Sequence, residues 1–432
     1  MSNNFSTVLL VIIISLISVL ILMKPYLGII LTLLSLPLLD LLPDVPLVSS
    51  IMVPIGAVTV AGYLLSQKGQ KKQKSPAWNR LLTVSFFFVV WVFISNPKAA
   101  IFGTARNWVF TLFQCWALLW LSSKLLDTAT KQRYFMWTFS IVCVISGLFT
   151  ISQGQIGASI SDSIRAGGLA NQPNITARYL VVAFIFLTYL LTCTKNGFKR
   201  ILTLLGIVVT FIGVFFTLSR TGIIMLVVSV GLLILTSGSK KSIALIIVFV
   251  FAAFLLLTFS DQIIGILDSI IPSITRGENT IGLRYSLWRA GWRMWLDNPV
   301  VGVGIGKFTE NLPIYAQDLP PFRWTLIAHN TYVSVLAETG FIGILLLFVM
   351  IIFSLQNFLV QNKALSVDIT ALRKTWIIVF ISILIGSTTK NDHYDKFFWF
   401  IMGISVFFQN HSEDPKDQKD KLPLASPPGS NI

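Results

Sequence analysis

Long apolar blocks alternate with short polar gaps along most of the chain. The apolar runs fall at about 7–23, 26–43, 47–66, 81–95, 107–123, 135–152, 179–194, 201–218, 222–236, 243–259, 334–360, 376–388 and 397–409. Most are long enough, as helix, to cross about 30 Å of bilayer hydrocarbon. The pattern predicts an all-α, polytopic integral membrane protein with 12 or 13 transmembrane helices. Lys24-Pro25 splits the first two runs, so one of them can instead be a half-helix or re-entrant segment. Val8 to Met23 has the apolar length of a signal-peptide core. It lacks a basic segment before it and a small-residue cleavage site after it, so we read it as a retained helix.

The polar gaps set orientation and organisation. Alternate gaps gather lysine and arginine: Lys68 to Arg80, Lys124 to Arg133, Lys195 to Arg200, Lys240-Lys241, Lys363 to Lys374, and the tail. Positive residues concentrate on the cytoplasmic side, which assigns those gaps to it. The opposite side then holds the two longest connections, 153–178 and 260–333. This gives N-terminal transmembrane helices over 1–259, a large periplasmic loop over 260–333, C-terminal transmembrane helices over 334–409, and a polar, disordered cytoplasmic tail over 410–432. Within the large loop, Trp288, Trp292 and Trp295 recur at helical spacing, as on a helix lying at the lipid–water interface. Gly302, Gly304 and Gly306 form a turn-rich stretch rather than a nucleotide loop, since no strand precedes them.

Composition agrees with the pattern. Of 432 residues, 54% are hydrophobic and 12% charged, with a mean hydropathy of +0.78. A soluble domain carries about 25% charged residues. The net charge of +15 lies in the gaps between apolar blocks, which argues against a nucleic-acid partner. Cys115, Cys143 and Cys193 show no metal-ligand spacing and are expected as small core hydrophobes.

Three residues stand out as candidate chemistry. Arg220 lies between two adjoining apolar runs on the outer side, where an arginine is costly unless it snorkels, pairs or faces a cavity. Arg284 opens the amphipathic helix of the large loop. Arginine forks bind phosphate oxygens bidentately and stay charged, so two on one membrane face suit a pyrophosphate. His329 lies where the large loop re-enters the membrane, and an imidazole there can accept a proton from a hydroxyl near neutral pH. Arg289 and Arg293 fit a solvated helix face, and Arg289 is also a candidate substrate contact. The glycine-rich stretch Arg165 to Asn174 reads equally as a plain turn or as a source of donors for sugar hydroxyls, with Arg165, Asn171 and Asn174 as contacts. Carboxylate pairs for glycoside hydrolysis, zinc-spaced clusters and phosphate-binding loops are not found in the sequence. Asp261 and Asp268 read as helix-end residues, and the near absence of charge inside the spans argues against ion-coupled transport.

His329-Asn330, nine residues, then Gly340-Phe-Ile-Gly343 resembles the signature at the end of the large periplasmic loop of bacterial O-antigen ligases. Thr217-Leu-Ser-Arg220-Thr-Gly222, Gly282-Leu-Arg284-Tyr-Ser-Leu-Trp288, Asp297 to Gly304 and Gly168 to Asn174 resemble further motifs of the ligase and polymerase superfamily, in order. The resemblance covers roughly 165–345. It implies a metal-independent, inverting glycosyltransferase of the inner membrane that needs no cofactor. The donor would be a glycan on undecaprenyl pyrophosphate and the acceptor a sugar of lipid A–core. Arg220 and Arg284 would hold the pyrophosphate, His329 would activate the acceptor hydroxyl, and Asn330 would be a substrate contact. The same motifs fit an O-antigen or exopolysaccharide polymerase, and a bicarbonate-type transporter is a further alternative.

Overall fold

The computed structural model describes residues 14–41, 52–67, 79–95, 106–153, 166–236, 280–360 and 367–410. The expected span 243–259, the first part of the large loop with Asp261 and Asp268, Arg165, and the tail from 411 lie outside these. Every described element is helical. The first group is α1 (Ile14–Met23), α2 (Tyr26–Leu34), α3 (Met52–Gln67), α4 (Arg80–Ser95) and α5 (Arg106–Leu125). Next come α6 (Ala129–Gln153), α7 (Pro173–Cys193), α8 (Gly197–Phe216) and α9 (Arg220–Thr236). The large loop supplies α10 (Thr280–Asp297) and α11 (Phe308–Tyr315). The chain then forms α12 (Thr331–Leu359), α13 (Val367–Gly386) and α14 (Lys396–Asn410).

Among the described residues, five helices are long and apolar enough to cross a membrane: α6, α7, α8, α12 and α13. Five further apolar helices are shorter. The run 26–43 is not one helix. α2 ends at Leu34 after 9 residues, and a 3-10 turn over Leu36–Leu41 follows, containing Pro37. Nine residues rise only about 14 Å, too little to cross the hydrocarbon alone. The turn packs instead against the Gly168–Ala170 turn.

α7 is buried along most of its length among α6, α8, α9 and α13, and α14 is buried from Phe397 to Phe408. Lipid is as apolar as leucine, so helices associate in it through tight packing and interhelical polar links. Trp376 of α13 supplies both. Its ring packs against Phe135, Phe186 and Phe400, and its Nε1 donates to Gln132 Oε1 at 2.9 Å. The outer faces are apolar stripes at helical spacing, such as Ile141, Ile145 and Leu148 on α6 and Ile201, Leu204 and Val208 on α8, all exposed. Cys115 and Cys143 are buried as expected, but Cys193 is exposed, because it is the last residue of α7 at the end of the bundle.

Hydrogen bonds identify the two ends of the bundle. Arg133, near the start of α6, pairs with Asp368 at the start of α13. Lys374 Nζ donates to the Thr236 carbonyl at the end of α9 (3.1 Å), and Arg373 donates to the Val360 carbonyl after α12. Lys374 and Arg373 thus satisfy carbonyls at helix C-termini, and all three cations lie at one end of the bundle. At the other end, Gln153 closes α6 by accepting from the Gly168 N–H (3.0 Å), α9 begins at Arg220, and the Thr331 N–H at the start of α12 donates to the Ser387 carbonyl (2.9 Å) after α13.

The large loop packs on this second end. Leu287, Ala290 and Met294 of α10 form a small core with Phe308, Leu312, Ala316, Ala328 and Ala337, so α10 lies against the start of α12. The tryptophan face flanks that core rather than forming one lipid-facing surface. Trp288 Nε1 donates to the Ala328 carbonyl (3.1 Å), Trp295 Nε1 donates to the Pro299 carbonyl (3.1 Å), and Trp292 is exposed.

Candidate active site

Arg220 is delivered by a turn. α8 closes at Thr217, and Leu218 takes a left-handed backbone (φ 50°) that reverses the chain. Ser219 caps α9: its Oγ accepts from the Gly222 N–H at 3.2 Å and donates to Asn174 Oδ1 at 2.9 Å. Gly222 allows the closeness, since a Cβ there would lie 2.5 Å from the Ala177 methyl of α7. The sequence Leu-Ser-Arg-Thr-Gly thus places an exposed Arg220 beside the first turn of α7.

The glycine-rich stretch ahead of α7 is a tight turn. Gly168 has φ 59°, and a Cβ there would lie within 3 Å of Thr150, Thr176 and Ser146. The Gly168 and Leu169 amides donate to Gln153 Oε1 (3.0 Å) and Ser146 Oγ (3.2 Å), so these donors serve the fold and not a sugar. Asn171, left-handed at φ 49°, ends the turn and is exposed. Asn174 is exposed and tied to Ser219.

Arg284 and His329 come from the large loop. Trp288, one turn after Arg284, fixes the Ala328 carbonyl, which holds the next residue, His329, beside α10. Asn330 fixes it from the other side. Its N–H donates to Asn391 Oδ1 (3.0 Å), and its own Oδ1 caps α12 by accepting from the Tyr332 and Val333 amides (2.9 and 3.2 Å). Asn330 is therefore a buried helix cap. Arg289 pairs with Asp318 at 2.8 Å on the loop surface. Ser286 and Arg289 hold the Asp318 carboxyl below its usual range.

The three singled-out groups sense one another. Burial and the charge of Arg220 lower the pKa of Arg284. Burial and the charge of Arg284 lower the pKa of His329 below 6.5. Like charges that act on each other repel, and a dianion bound by both guanidinium groups would relieve that repulsion. A neutral imidazole beside them is in the form that accepts a proton. Among the described residues, no His, Cys, Asp and Glu cluster able to hold a metal ion is present.

The family model for O-antigen ligases matches residues 205–349. The chain carries an O-antigen ligase family domain. No curated protein matches the chain. The O-antigen ligase domain runs from within α8 to within α12 and contains Arg220, Arg284, Arg289, His329 and Asn330. Asn171 and Asn174 precede it, and Asn174 is joined to it through Ser219.

The O-antigen ligase domain is locked by a backbone junction. α12 breaks at Gly340 (φ 68°, ψ −165°). The Val303 and Gly304 amides donate to the Ala337 and Glu338 carbonyls (both 2.9 Å), and the Phe341 amide donates to the Pro299 carbonyl (2.8 Å). A Cβ at Gly340 would lie 2.2 Å from the Val300 carbonyl oxygen, and one at Gly302 would lie 2.4 Å from Glu338 backbone. Gly302 and Gly304 on one side and Gly340 on the other are thus two sides of one contact. It fixes the start of α12, and His329 with it.

Sequence reading missed a polar cluster beside the O-antigen ligase domain. Ser387 to Asp395, between α13 and α14, carries Lys390, Asn391, Asp392, His393 and Asp395. Arg178 of α7 forms a fully buried ion pair with Asp392, and Asp392 also accepts from Ser387 Oγ. Thr331 Oγ1 donates to the Lys390 carbonyl and accepts from the Asp392 amide, both at 2.7 Å. Glu338, a charge inside a span in a set read as nearly charge-free, is 3% exposed and accepts from Tyr394 Oη (2.9 Å) and the Phe308 amide (3.3 Å). The signal available in the sequence was the density of ionisable residues in one nine-residue connection.

Proposed function

We propose that this membrane protein transfers a glycan from undecaprenyl pyrophosphate to a sugar hydroxyl of lipid A–core, on the periplasmic face of the bacterial inner membrane. The succession Arg220, Arg284, His329 carries the reading. The acceptor oxygen attacks the anomeric carbon as the bond to the diphosphate breaks, and the configuration inverts. The bonding pair leaves with the diphosphate, whose growing charge faces Arg220 and Arg284. His329, neutral at physiological pH, takes the hydroxyl proton. The lysine and arginine gathered at the opposite end of the bundle support the periplasmic side.

In a deletion strain the polymer stays on its carrier and the lipid A–core is uncapped. Single repeats in that strain would instead assign the chain to a polymerase. Complementation with Arg284→Ala or His329→Ala is expected to restore no capped lipopolysaccharide, with each variant still in the membrane. A lost base alone costs about 10²- to 10⁴-fold. Arg220→Lys is expected to fail too, because lysine offers a point charge and no fork. Capping by both alanine variants would remove the mechanism.

A further inference from the structure

The segment from Ile327 to Asn330 stands between two walls. α10, with Arg284 and Trp288, is one. The α13–α14 connection is the other, with Asn391 accepting from the Asn330 amide. On that second side opens a hollow of about 230 Å³, lined by Ile327 and Asn391 but not by Arg220, Arg284 or His329. Its volume is several times a water's share of liquid, roughly 30 Å³, and close to that of one sugar ring.

The lining is amphipathic in a particular way. One wall is the ring of Trp108, 38% exposed and 4.5 Å from the Tyr394 ring. Gly306 presses on its edge, where a Cβ would lie 2.3 Å from Trp108 Cδ1, so the indole is held in place. Around it stand Glu338, Asn391 and the Lys390–Asp395 ion pair. Tyr394 Oη donates to Glu338 Oε2, and carboxylate oxygens carry lone pairs for further donors. A sugar ring has the matching chemistry, with an apolar C–H face for an aromatic and hydroxyls at its rim for carboxylate, amide and ammonium groups. A diphosphate does not match, because Glu338 and Asp395 would repel it.

We infer that this hollow holds the sugar ring of the acceptor, stacked on Trp108 with its rim on Glu338, Lys390 and Asn391, and presents its hydroxyl across Ile327 to His329. The inference rests on the glycosyl-transfer reading above and assigns donor and acceptor to opposite sides of the His329 segment.

The test is saturation-transfer NMR on the full chain in detergent micelles, with free glucose, galactose and N-acetylglucosamine as probes. At least one is expected to receive saturation on its ring protons. Trp108→Ala is expected to weaken that binding at least tenfold, and Trp108→Phe to retain it. Lys390→Met, at the rim, is expected to weaken it severalfold and serves if Trp108→Ala does not fold. Arg284→Ala is expected to bind the sugar as the parent does while transferring no glycan. Binding of none of the three sugars, or binding indifferent to Trp108→Ala and Lys390→Met, overturns the acceptor site. Sugar binding that depends on Trp108, together with transfer that survives Arg284→Ala, overturns the pyrophosphate mechanism and leaves the sugar site standing.

Discussion

His329 holds a left-handed backbone at φ 49°, a conformation that costs a non-glycine residue about 1–3 kcal/mol and persists where the surroundings over-determine it. The surroundings here are Trp288 on the preceding carbonyl and Asn391 on the following amide. Burial, together with the charge of Arg284, lowers the imidazole pKa from 6.5. The neutral, proton-accepting form survives to lower pH than an ordinary histidine allows, and transfer should fall only as pH drops through the depressed value. Removing the cation should raise the midpoint. Arg284→Gln is therefore expected to shift the His329 ring titration upward when followed by imidazole NMR. Coincident curves for parent and variant would break the proposed coupling. Arg220, Arg284 and His329 are legible in the sequence because each interrupts an apolar or amphipathic pattern that would not need it. Arg289 interrupts the same pattern, yet its partner Asp318 lies 29 residues away, and spacing alone does not reveal such a pair.

At the scale of the helix, Gly340 divides α12 into a short helix and a long one. Their shared junction is filled by the backbone of 298–304. Any side chain at Gly340 meets both a positive φ and a carbonyl oxygen 2.2 Å away. Gly340→Ala is expected to destabilise the protein by at least about 2 kcal/mol. Thermal unfolding in detergent would register this as a lower Tm. Gly231→Ala, in the middle of α9 with nothing within 4 Å of a new Cβ, is the control and should leave Tm unchanged or slightly higher. Ser229 and Ser382 join α9 to α13 through a 2.7 Å hydrogen bond between hydroxyls. Links of this kind in membranes average about 0.6 kcal/mol, so Ser382→Ala should cost far less than Gly340→Ala. Equal costs would show that the junction does not hold α12 in place.

Across the whole molecule, the cations that close helix carbonyls and the cations of the site lie at opposite ends of one bundle. Between them runs an apolar shaft with few polar crosslinks. Among the described residues, the Arg178–Asp392 pair, 3% and 0% exposed, fastens α7 to the α13–α14 connection next to the site. Breaking one half of a buried pair leaves an uncompensated charge and costs about 3–5 kcal/mol. Asp392→Asn or Arg178→Met alone is thus expected to reduce folded protein in the membrane sharply. The double replacement Arg178→Met with Asp392→Leu should recover part of it, as judged by monodisperse protein after extraction. Recovery by neither single nor double replacement would point to the Ser387 and Thr331 hydrogen bonds rather than to the ion pair.

The helical character and the positions of most apolar helices were readable from the linear chain. Hydrocarbon demands about 20 apolar residues per crossing and internal pairing of every backbone group, and both demands act locally. The family motifs were readable for a related reason, since glycines at positive φ and isolated arginines carry their constraint in the residue itself. The joining of the glycine pair, the cap made by Asn330, the cluster at 387–395 and the Trp108 hollow arise from contacts between segments far apart in the chain, as Trp108 and Tyr394 are. Spacing along the chain is silent on them. Packing in three dimensions brought together groups whose separate patterns carried no mark of one another.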